Sequence, residues 1–356
     1  MGGGGAERVA ATLANSWCQM GHEVCLVPTY SGRGECLYAL DPRVRLLYLA
    51  DLAPKRSAIL PLDYFRRVLT LRNFIRSEKA DVVVSFLANV NVMVLISAIG
   101  LGVRTVICER TDPFIMPVPS ALQMLRWLAY PLANLLVVQT QSVAEKYQSL
   151  KRPLPKLAVI GNPIPAEFSS HILPQQKRSQ NYLLAVGRLS EEKSFDVLIE
   201  VFAELAPVHS DWTLRIVGEG PLRSNLENQI QQKALADRIQ LPGRTDKVEA
   251  EFRLADAFVL TSRFEGFPNA LLEAMAVGLP CVAVDCPSGP KEITDEGRTA
   301  LLVPLGDKNA LRLALSNLMG DEALRQKLSQ LAHTSVMERY ALEKILQKWD
   351  LVLRKS

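Results

Sequence analysis

The sequence has no long apolar run. Across its 356 residues nothing reaches the roughly 18–20 uninterrupted apolar positions of a membrane-spanning helix. The nearest stretch, 82–103, is broken by Ser85, Asn89, Asn91, Ser97, Gly100 and Gly102, and fits a buried strand followed by a helix. Cysteine is scarce. Cys18, Cys25, Cys36, Cys108, Cys281 and Cys286 form no CxxC pair and have no histidine at zinc-ligand spacing. They fit small buried thiols in a reducing compartment. Only four histidines occur (His22, His171, His209, His333), and none supports a Ser-His-Asp arrangement. D-x-D and H-E-x-x-H are both absent, so no metal site is expected. The opening residues carry no apolar signal-peptide core, and the expected location is cytoplasmic.

What is present is a composition for packed cores. With 48% hydrophobic and 22% charged residues, and 20 Gly and 21 Pro, the chain is neither disordered nor collagen-like. Its length implies two domains. The net charge of +4 is uneven: residues 1–165 hold 18 Lys/Arg against 11 Asp/Glu, and residues 166–356 hold 23 against 26. The first half is too sparsely basic for nucleic acid, which asks for a dense stripe, but suits phosphates or an anionic bilayer.

Short apolar runs at 24–28, 44–47, 81–86, 105–108 and 135–139 alternate with helical patterns at 7–20, 62–77, 90–99 and 122–130. After a Pro-, Ser-, Gln- and Lys-rich stretch the alternation restarts. Strands are expected at 182–186, 213–217, 239–241, 257–260, 281–284 and 300–303, and helices at 195–205, 222–235, 269–277, 309–319, 322–340 and 342–354. This βα repetition predicts two α/β Rossmann-like, doubly wound domains over 1–165 and 181–338, a linker over 166–180, and a terminal helix over 339–356. Ligands of such sheets sit beyond the carboxyl ends of the strands, here in a cleft between facing domains. Gly2–Gly5 open a helix with no strand before them. The first, central strand is therefore expected to be missing, with the functional chain starting upstream of Met1.

Four loops carry candidate chemistry. Gly4 and Gly5 precede an amphipathic helix, where amides and the helix terminus attract anions. Gly187, Arg188 and Lys193 follow a predicted strand, so that a planar fork and a point charge reach one diphosphate. Gly218 and Gly220 follow the next strand and allow close backbone approach to a flat ligand. Finally, Glu265-Gly266-Phe267-Pro268-Asn269-Ala270-Leu271-Leu272-Glu273 runs from a strand into a helix. Pro268 keeps Glu265 in the loop, and Asn269 is a candidate N-cap that leaves the Ala270 and Leu271 amides free. Glu273 is placed early in the helix, where the dipole favours its ionised form. Two carboxylates at one strand end suit vicinal hydroxyls of ribose and sugar.

With these pieces the chain resembles the retaining nucleotide-sugar glycosyltransferases of family 4, which have the GT-B fold. The resemblance covers essentially the whole chain. It runs through Gly3-Gly4-Gly5-Ala6-Glu7-Arg8, Gly161-Asn162-Pro163, the 187–193 loop, Gly218-Glu219-Gly220-Pro221, the E-x7-E pair Glu265/Glu273 and Glu273-Ala274-Met275-Ala276-Val277-Gly278-Leu279-Pro280. Glu109-Arg110-Thr111-Asp112-Pro113 and Asp285-Cys286-Pro287-Ser288-Gly289-Pro290 look closest to amylovoran-type enzymes of bacterial polysaccharide and lipid-linked oligosaccharide synthesis.

The resemblance implies that Arg188 and Lys193 hold a donor diphosphate, Glu273 the ribose and Glu265 the sugar. It implies that the backbone around Gly266, Phe267, Asn269, Ala270 and Leu271 meets sugar and phosphates. Gly4 and Gly5 would line the acceptor side, and the terminal helix over 339–356 would cross back to the first domain, packing through Leu342, Ile345, Leu346, Trp349, Leu351 and Leu353. It implies a UDP-sugar co-substrate, a polyprenyl-linked or oligosaccharide acceptor, no metal and no cofactor. Arg110 stands where many members carry histidine; it becomes a catalytic or phosphate-binding candidate, with Glu109 and Asp112 beside it on the acceptor side. The basic amphipathic stretch holding Tyr64, Phe65, Arg66, Arg67, Arg72 and Arg76 fits peripheral contact with an anionic bilayer. The rival readings are a nucleotide-sugar epimerase, a dinucleotide oxidoreductase, whose strand–GxGxxG–acidic pattern is lacking, and a non-enzymatic two-lobed sugar-binding protein.

Overall fold

The computed structural model describes residues 5–29, 38–52, 60–115, 118–168 and 180–354. Gly4, Cys36, His171 and most of the expected linker lie outside them. The chain divides into two compact units: Met1–Asn162 with Ile345–Ser356, and Pro163–Lys344.

The first unit opens on α1 (Gly5–Gln19), whose Val9, Ala10, Leu13, Ala14 and Cys18 form a buried stripe. Then follow β1 (Cys25–Leu26), β2 (Arg45–Leu46), α2 (Leu49–Leu52), α3 (Leu60–Ser77), β3 (Val82–Phe86), α4 (Ala88–Ala98), β4 (Arg104–Cys108), α5 (Ser120–Ala129), β5 (Leu135–Val138), α6 (Gln141–Gln148) and β6 (Lys156–Val159). β3-β4-β5-β6 make a parallel sheet in chain order, while β1 and β2 pair separately. Sequential right-handed crossovers put α4, α5 and α6 on one face of that sheet, and α4 packs between α3 and α5. The strands expected at 24–28 and 44–47 shrink to two residues each and pair only with one another. β6 and α6 escaped the sequence reading: β6 is a half-buried edge strand, and α6 is largely polar, started by the Thr140 hydroxyl accepting from the Val143 amide.

The second unit runs β7 (Asn181–Val186), α7 (Phe195–Leu205), β8 (Trp212–Val217), α8 (Arg223–Gln232), β9 (Ile239–Gly243), α9 (Val248–Leu254), β10 (Ala257–Leu260), α10 (Asn269–Ala276), β11 (Cys281–Asp285), α11 (Pro290–Ile293), β12 (Leu301–Pro304), α12 (Lys308–Gly320) and α13 (Glu322–Tyr340). Its sheet is parallel throughout, in the order β12-β11-β10-β7-β8-β9. Strands covered on both faces have no polar side to present; β10 is buried at every position, and Leu183, Ala185, Leu214, Ile216, Val259 and Val282 share one core with Trp212. β7 is the central strand, and the order reverses beside it. The first unit has no counterpart of β7 among the described residues: its two sheets stand apart where the second unit has one.

The last helix, α14 (Leu342–Leu353), buries Ile345 and Trp349. Trp349 meets Trp17 edge-on, with ring centroids 5.6 Å apart, and Arg104 Nη2 donates to the Val352 carbonyl at 2.9 Å. Leu351, which the resemblance set among the packing positions, is 74% exposed. Two residues on from Trp349, it points to the opposite side of the helix.

Candidate functional site

Strand order in the second unit assembles the site. β8, β7, β10 and β11 are neighbours, so the loops after them meet at the carboxyl edge of the sheet although they are far apart in sequence. The loops after β7 and β8 cross at backbone contact. Gly187 N donates to the Val217 carbonyl, and Leu189 N to the Glu219 carbonyl, both at 3.0 Å. A Cβ on Gly218 would lie 1.8 Å from the Gly187 oxygen, and one on Gly220 2.3 Å from the Leu189 oxygen. Gly218 has φ +153°, outside the range an L side chain favours. The close approach these glycines permit is therefore that of the chain itself, not only that of a ligand.

Lys193 closes a short 3-10 turn, Glu191–Lys193, and is followed by Ser194 in the left-handed region, at φ 50°. The Thr261 hydroxyl donates to the Lys193 carbonyl at 2.7 Å and ties this turn to the end of β10. Lys193 Nζ donates to Glu265 Oε1 at 2.6 Å, and the Ser262 hydroxyl donates to the same oxygen at 2.7 Å. The two side chains are mostly enclosed, at 20% and 11% exposure. Two residues 72 apart in sequence thus form one charged pair. Arg188 is exposed at the start of the same loop. Arg263 N donates to the Glu192 carbonyl and Arg263 Nε to the Ser194 hydroxyl, which stitches the loops together a second time. From the β11 side, a Cβ on Gly289, at φ +119°, would lie 2.4 Å from Pro268 Cδ, so this glycine lets the two loops touch. Burial pushes the nearby Cys286 thiol up to about 12, which keeps it protonated and inert.

Some expectations for 265–273 need correction. Asn269 is the first helical residue, not the N-cap; Pro268 precedes it and no side chain caps the helix. The Leu271 amide is not free: it and the Leu272 amide both donate to the Pro268 carbonyl, and the Asn269 amide to Phe267. The Gly266, Phe267 and Ala270 amides, by contrast, make no backbone–backbone hydrogen bond among the described residues. The side chains of Phe267 and Leu271 belong to the core, and Phe267 packs edge-on against Tyr340. Glu273 is buried (3% exposed) at the fifth position of α10, one turn inside the helix, where the terminal dipole has faded.

In the first unit, Gly5 is the exposed first residue of α1. Glu109, expected to face the acceptor, lies in the interior instead. Its carboxylate meets Arg126 Nη2 at 3.0 Å, both side chains nearly fully buried, and accepts from the Tyr130 hydroxyl; Tyr147 adds a longer contact at 3.5 Å. Burial pushes this carboxyl up against the opposing pull of Arg126. Asp112 is also buried: its oxygens accept from Lys146 Nζ at 2.7 Å and from the Phe114 amide at 2.9 Å, so it shapes its own loop. Arg110 is 7% exposed. Its Nη1 donates to Asn162 Oδ1 at 2.8 Å, the same oxygen accepts from Gln139 Nε2 at 2.7 Å, and the guanidinium lies 4.5 Å over the Phe86 ring. Sequence reasoning missed Ser262, Thr261, Gln139 and Phe86. A hydroxyl three residues before Glu265 was the one available hint. His209 pairs with Ser316 and His333 with the Ala276 carbonyl, so both are structural.

Comparison with known proteins bears on both units. A family model described as Glycosyltransferase Family 4 matches residues 3–168, and one described as Glycosyl transferases group 1 matches residues 171–334. An exopolysaccharide phosphotransferase of Streptomyces coelicolor is 30% identical over 98% of this chain, which spans 39% of that protein's length. An amylovoran biosynthesis glycosyltransferase of Erwinia amylovora is 29% identical over 98% of this chain and 96% of its own. A Campylobacter jejuni α-1,4-N-acetyl-D-galactosaminyltransferase, named for a saccharide substrate on PP-undecaprenol, is 27% identical over 97% of this chain and 94% of its own. Among solved structures, Anabaena HepE in complex with UDP superposes with TM-score 0.80 at 16% identity, over 98% of this chain and 96% of that one. The fold is GT-B.

Proposed function

The chain belongs to glycosyltransferase family 4, and on that premise we propose that it moves a hexose or N-acetylhexosamine, with retention, from a UDP-sugar to a saccharide carried on polyprenyl diphosphate, in the synthesis of a bacterial surface polysaccharide. The observation that carries this reading is the Lys193–Glu265 pair at the carboxyl edge of the second unit's sheet. A donor diphosphate takes over Lys193 Nζ and adds the exposed fork of Arg188. Glu265, still held by Ser262, then accepts from hydroxyls of the donor sugar. The buried carboxylate of Glu273 receives the ribose hydroxyls, and the amides of Gly266, Phe267 and Ala270 point donors at the oxygens between them. Fixed cations and amides stabilise the charge that develops on the leaving diphosphate without a metal ion. The departing diphosphate itself helps deprotonate the acceptor hydroxyl, so front-face attack needs no protein base.

The relatives named for amylovoran synthesis and for an undecaprenol-linked saccharide support the acceptor class. UDP in the Anabaena complex supports the nucleotide. The test is calorimetric titration of UDP and several UDP-sugars against the intact chain and Lys193→Ala. At least a tenfold loss of UDP affinity is expected in the variant. UDP affinity that ignores the substitution would overturn the site, and tight NAD binding would overturn the reading.

A membrane-facing role is part of the same proposal, carried by exposed apolar side chains on the first unit. No helix among the described residues is long and apolar enough to cross a bilayer. On α3, Leu62, Phe65 and Leu69 are exposed beside Arg66 and Arg76, while Arg67 and Arg72 turn onto the carbonyls of Thr29 and Ser97. On α5, Met124 and Leu128 are 60% and 68% exposed at the rim of a cavity of about 450 Å³ that also meets Trp127 and Arg152. Apolar side chains flanked by arginines suit peripheral docking on the cytoplasmic face of an anionic membrane.

A further inference from the structure

Arg110 is a buried cation that forms no ion pair among the described residues. The carboxylates around it are committed elsewhere: Glu109 to Arg126, and Asp112 to Lys146. The Cys108 thiol lies against the guanidinium, but burial pushes it up to about 12, so it is neutral and supplies no balancing charge. Of the guanidinium nitrogens, Nη1 donates to Asn162, while Nε and Nη2 are buried with no hydrogen-bond partner. Those two nitrogens form one side of the planar group, the fork that takes two oxygens of a carboxylate or phosphate at once. Leaving charged donors buried and unpaired is costly, and a protein-bound state that supplies an anion relieves the cost.

The surroundings fix this edge. Phe86 ends β3 and carries the guanidinium on its ring. Asn162 follows β6 and Gln139 follows β5, and the Asn162 oxygen accepts from both Arg110 and Gln139. All four residues lie at the carboxyl edge of the first unit's sheet, where open α/β sheets bind ligands. Thr111, next in the chain, is exposed.

We propose that Arg110 holds a phosphate oxyanion of the acceptor, bidentate on its Nε–Nη2 edge, and that Asn162 is the positioning residue that presents this edge. The identity of the anion rests on the transferase reading; the existence of an anion site does not. The carboxyl edge of the second unit's sheet provides for the donor diphosphate. The first unit's edge provides a separate place for the phosphate through which the saccharide is attached to its carrier.

Two measurements test this. In the first, inorganic pyrophosphate is titrated into the full chain carrying Arg188→Ala and Lys193→Ala, so that the donor-side cations do not contribute. Binding is followed by calorimetry and by the ¹⁵N-edited Nε–H resonance of Arg110. A saturable shift of that resonance is expected, with at least tenfold weaker binding when Arg110→Lys is added. An unmoved resonance, or equal binding by the lysine variant, overturns the site; should Arg110→Lys fail to fold, the resonance decides alone. In the second, KM is compared for one saccharide on a polyprenyl diphosphate and on a neutral aglycone. Asn162→Ala should raise KM about tenfold for the diphosphate acceptor and leave KM for the neutral acceptor unchanged. An equal rise for both would mark a merely structural residue and overturn the positioning role. If no acceptor is turned over at all, the transferase reading fails, and the pyrophosphate titration still decides the anion site.

Discussion

At the residue scale, the glycines of the donor loops act through the backbone. Gly218 cannot carry a methyl group: its Cβ would sit 1.8 Å from the Gly187 oxygen, and its φ of +153° strains any L residue. Gly306 is the contrast. It has φ +82° but nothing within 4 Å of a built Cβ. Gly218→Ala should therefore cost about 3 kcal/mol or more and weaken UDP binding, because the loops can no longer cross. Gly306→Ala should cost about 1 kcal/mol, the backbone penalty alone. Urea unfolding of the two variants checks the difference; equal costs would mean that the crossing is not tight. The motif Gly-Glu-Gly-Pro was legible from sequence, but its partner, the backbone from Gly187 to Leu189, was not, because that contact spans two strands. The same limit hid the fate of Glu109. A polar residue after a strand reads as a site residue. Only the arrival of Arg126, Tyr130 and Tyr147 from later elements shows that it is a core ion pair. Replacing one partner of such a pair is severe, since the other charge stays buried.

At the scale of elements, the period of the apolar positions located most helices and strands, and failed where an element is short or polar. α14 shows both sides. Its apolar residues predicted a packing helix, and Ile345 and Trp349 are indeed fully buried. Leu351 was expected to pack with them, yet it is 74% exposed, two residues and about 200° of rotation from Trp349. Trp349→Ala removes the edge-on contact with Trp17 and should cost about 3–5 kcal/mol. Leu351→Ala should stay within about 0.5 kcal/mol. Thermal melts of the two variants test the assignment; a large loss for Leu351 would mean that this face is covered. At the start of α10, Asn-Ala after Pro read as a cap, but local geometry chose otherwise: Pro268 accepts from two amides and moves Asn269 into the helix.

At the scale of the whole molecule, the main sheet of each unit is parallel and carries candidate site residues at its carboxyl edge, and the charge asymmetry of the sequence has a surface counterpart. Exposed apolar side chains on α3 and α5 of the more basic half stand beside Arg66, Arg76 and Arg152. The intact chain should float with phosphatidylglycerol vesicles at low salt and release partly near 0.15 M, where screening acts over about 8 Å. Phe65→Asp combined with Leu128→Asp should lower the bound fraction at least tenfold. Flotation unchanged by the pair, or absent at low salt, would remove the membrane contact.

By itself the sequence determined the α/β class, the restart of the βα pattern near residue 181, the loops that hold Arg188, Lys193 and Glu265, and the helix that holds Glu273. These follow from periodicity and local turn chemistry, which act over a few residues. Only the tertiary structure decided that Lys193 and Glu265 share a contact, that Glu109 is a core residue and that two guanidinium nitrogens of Arg110 are buried without a hydrogen-bond partner. Strand order sets these, because it determines which carboxyl ends are neighbours, and no local pattern encodes it. Burial then determines which of the collected charges find partners within the chain and which are left for a ligand.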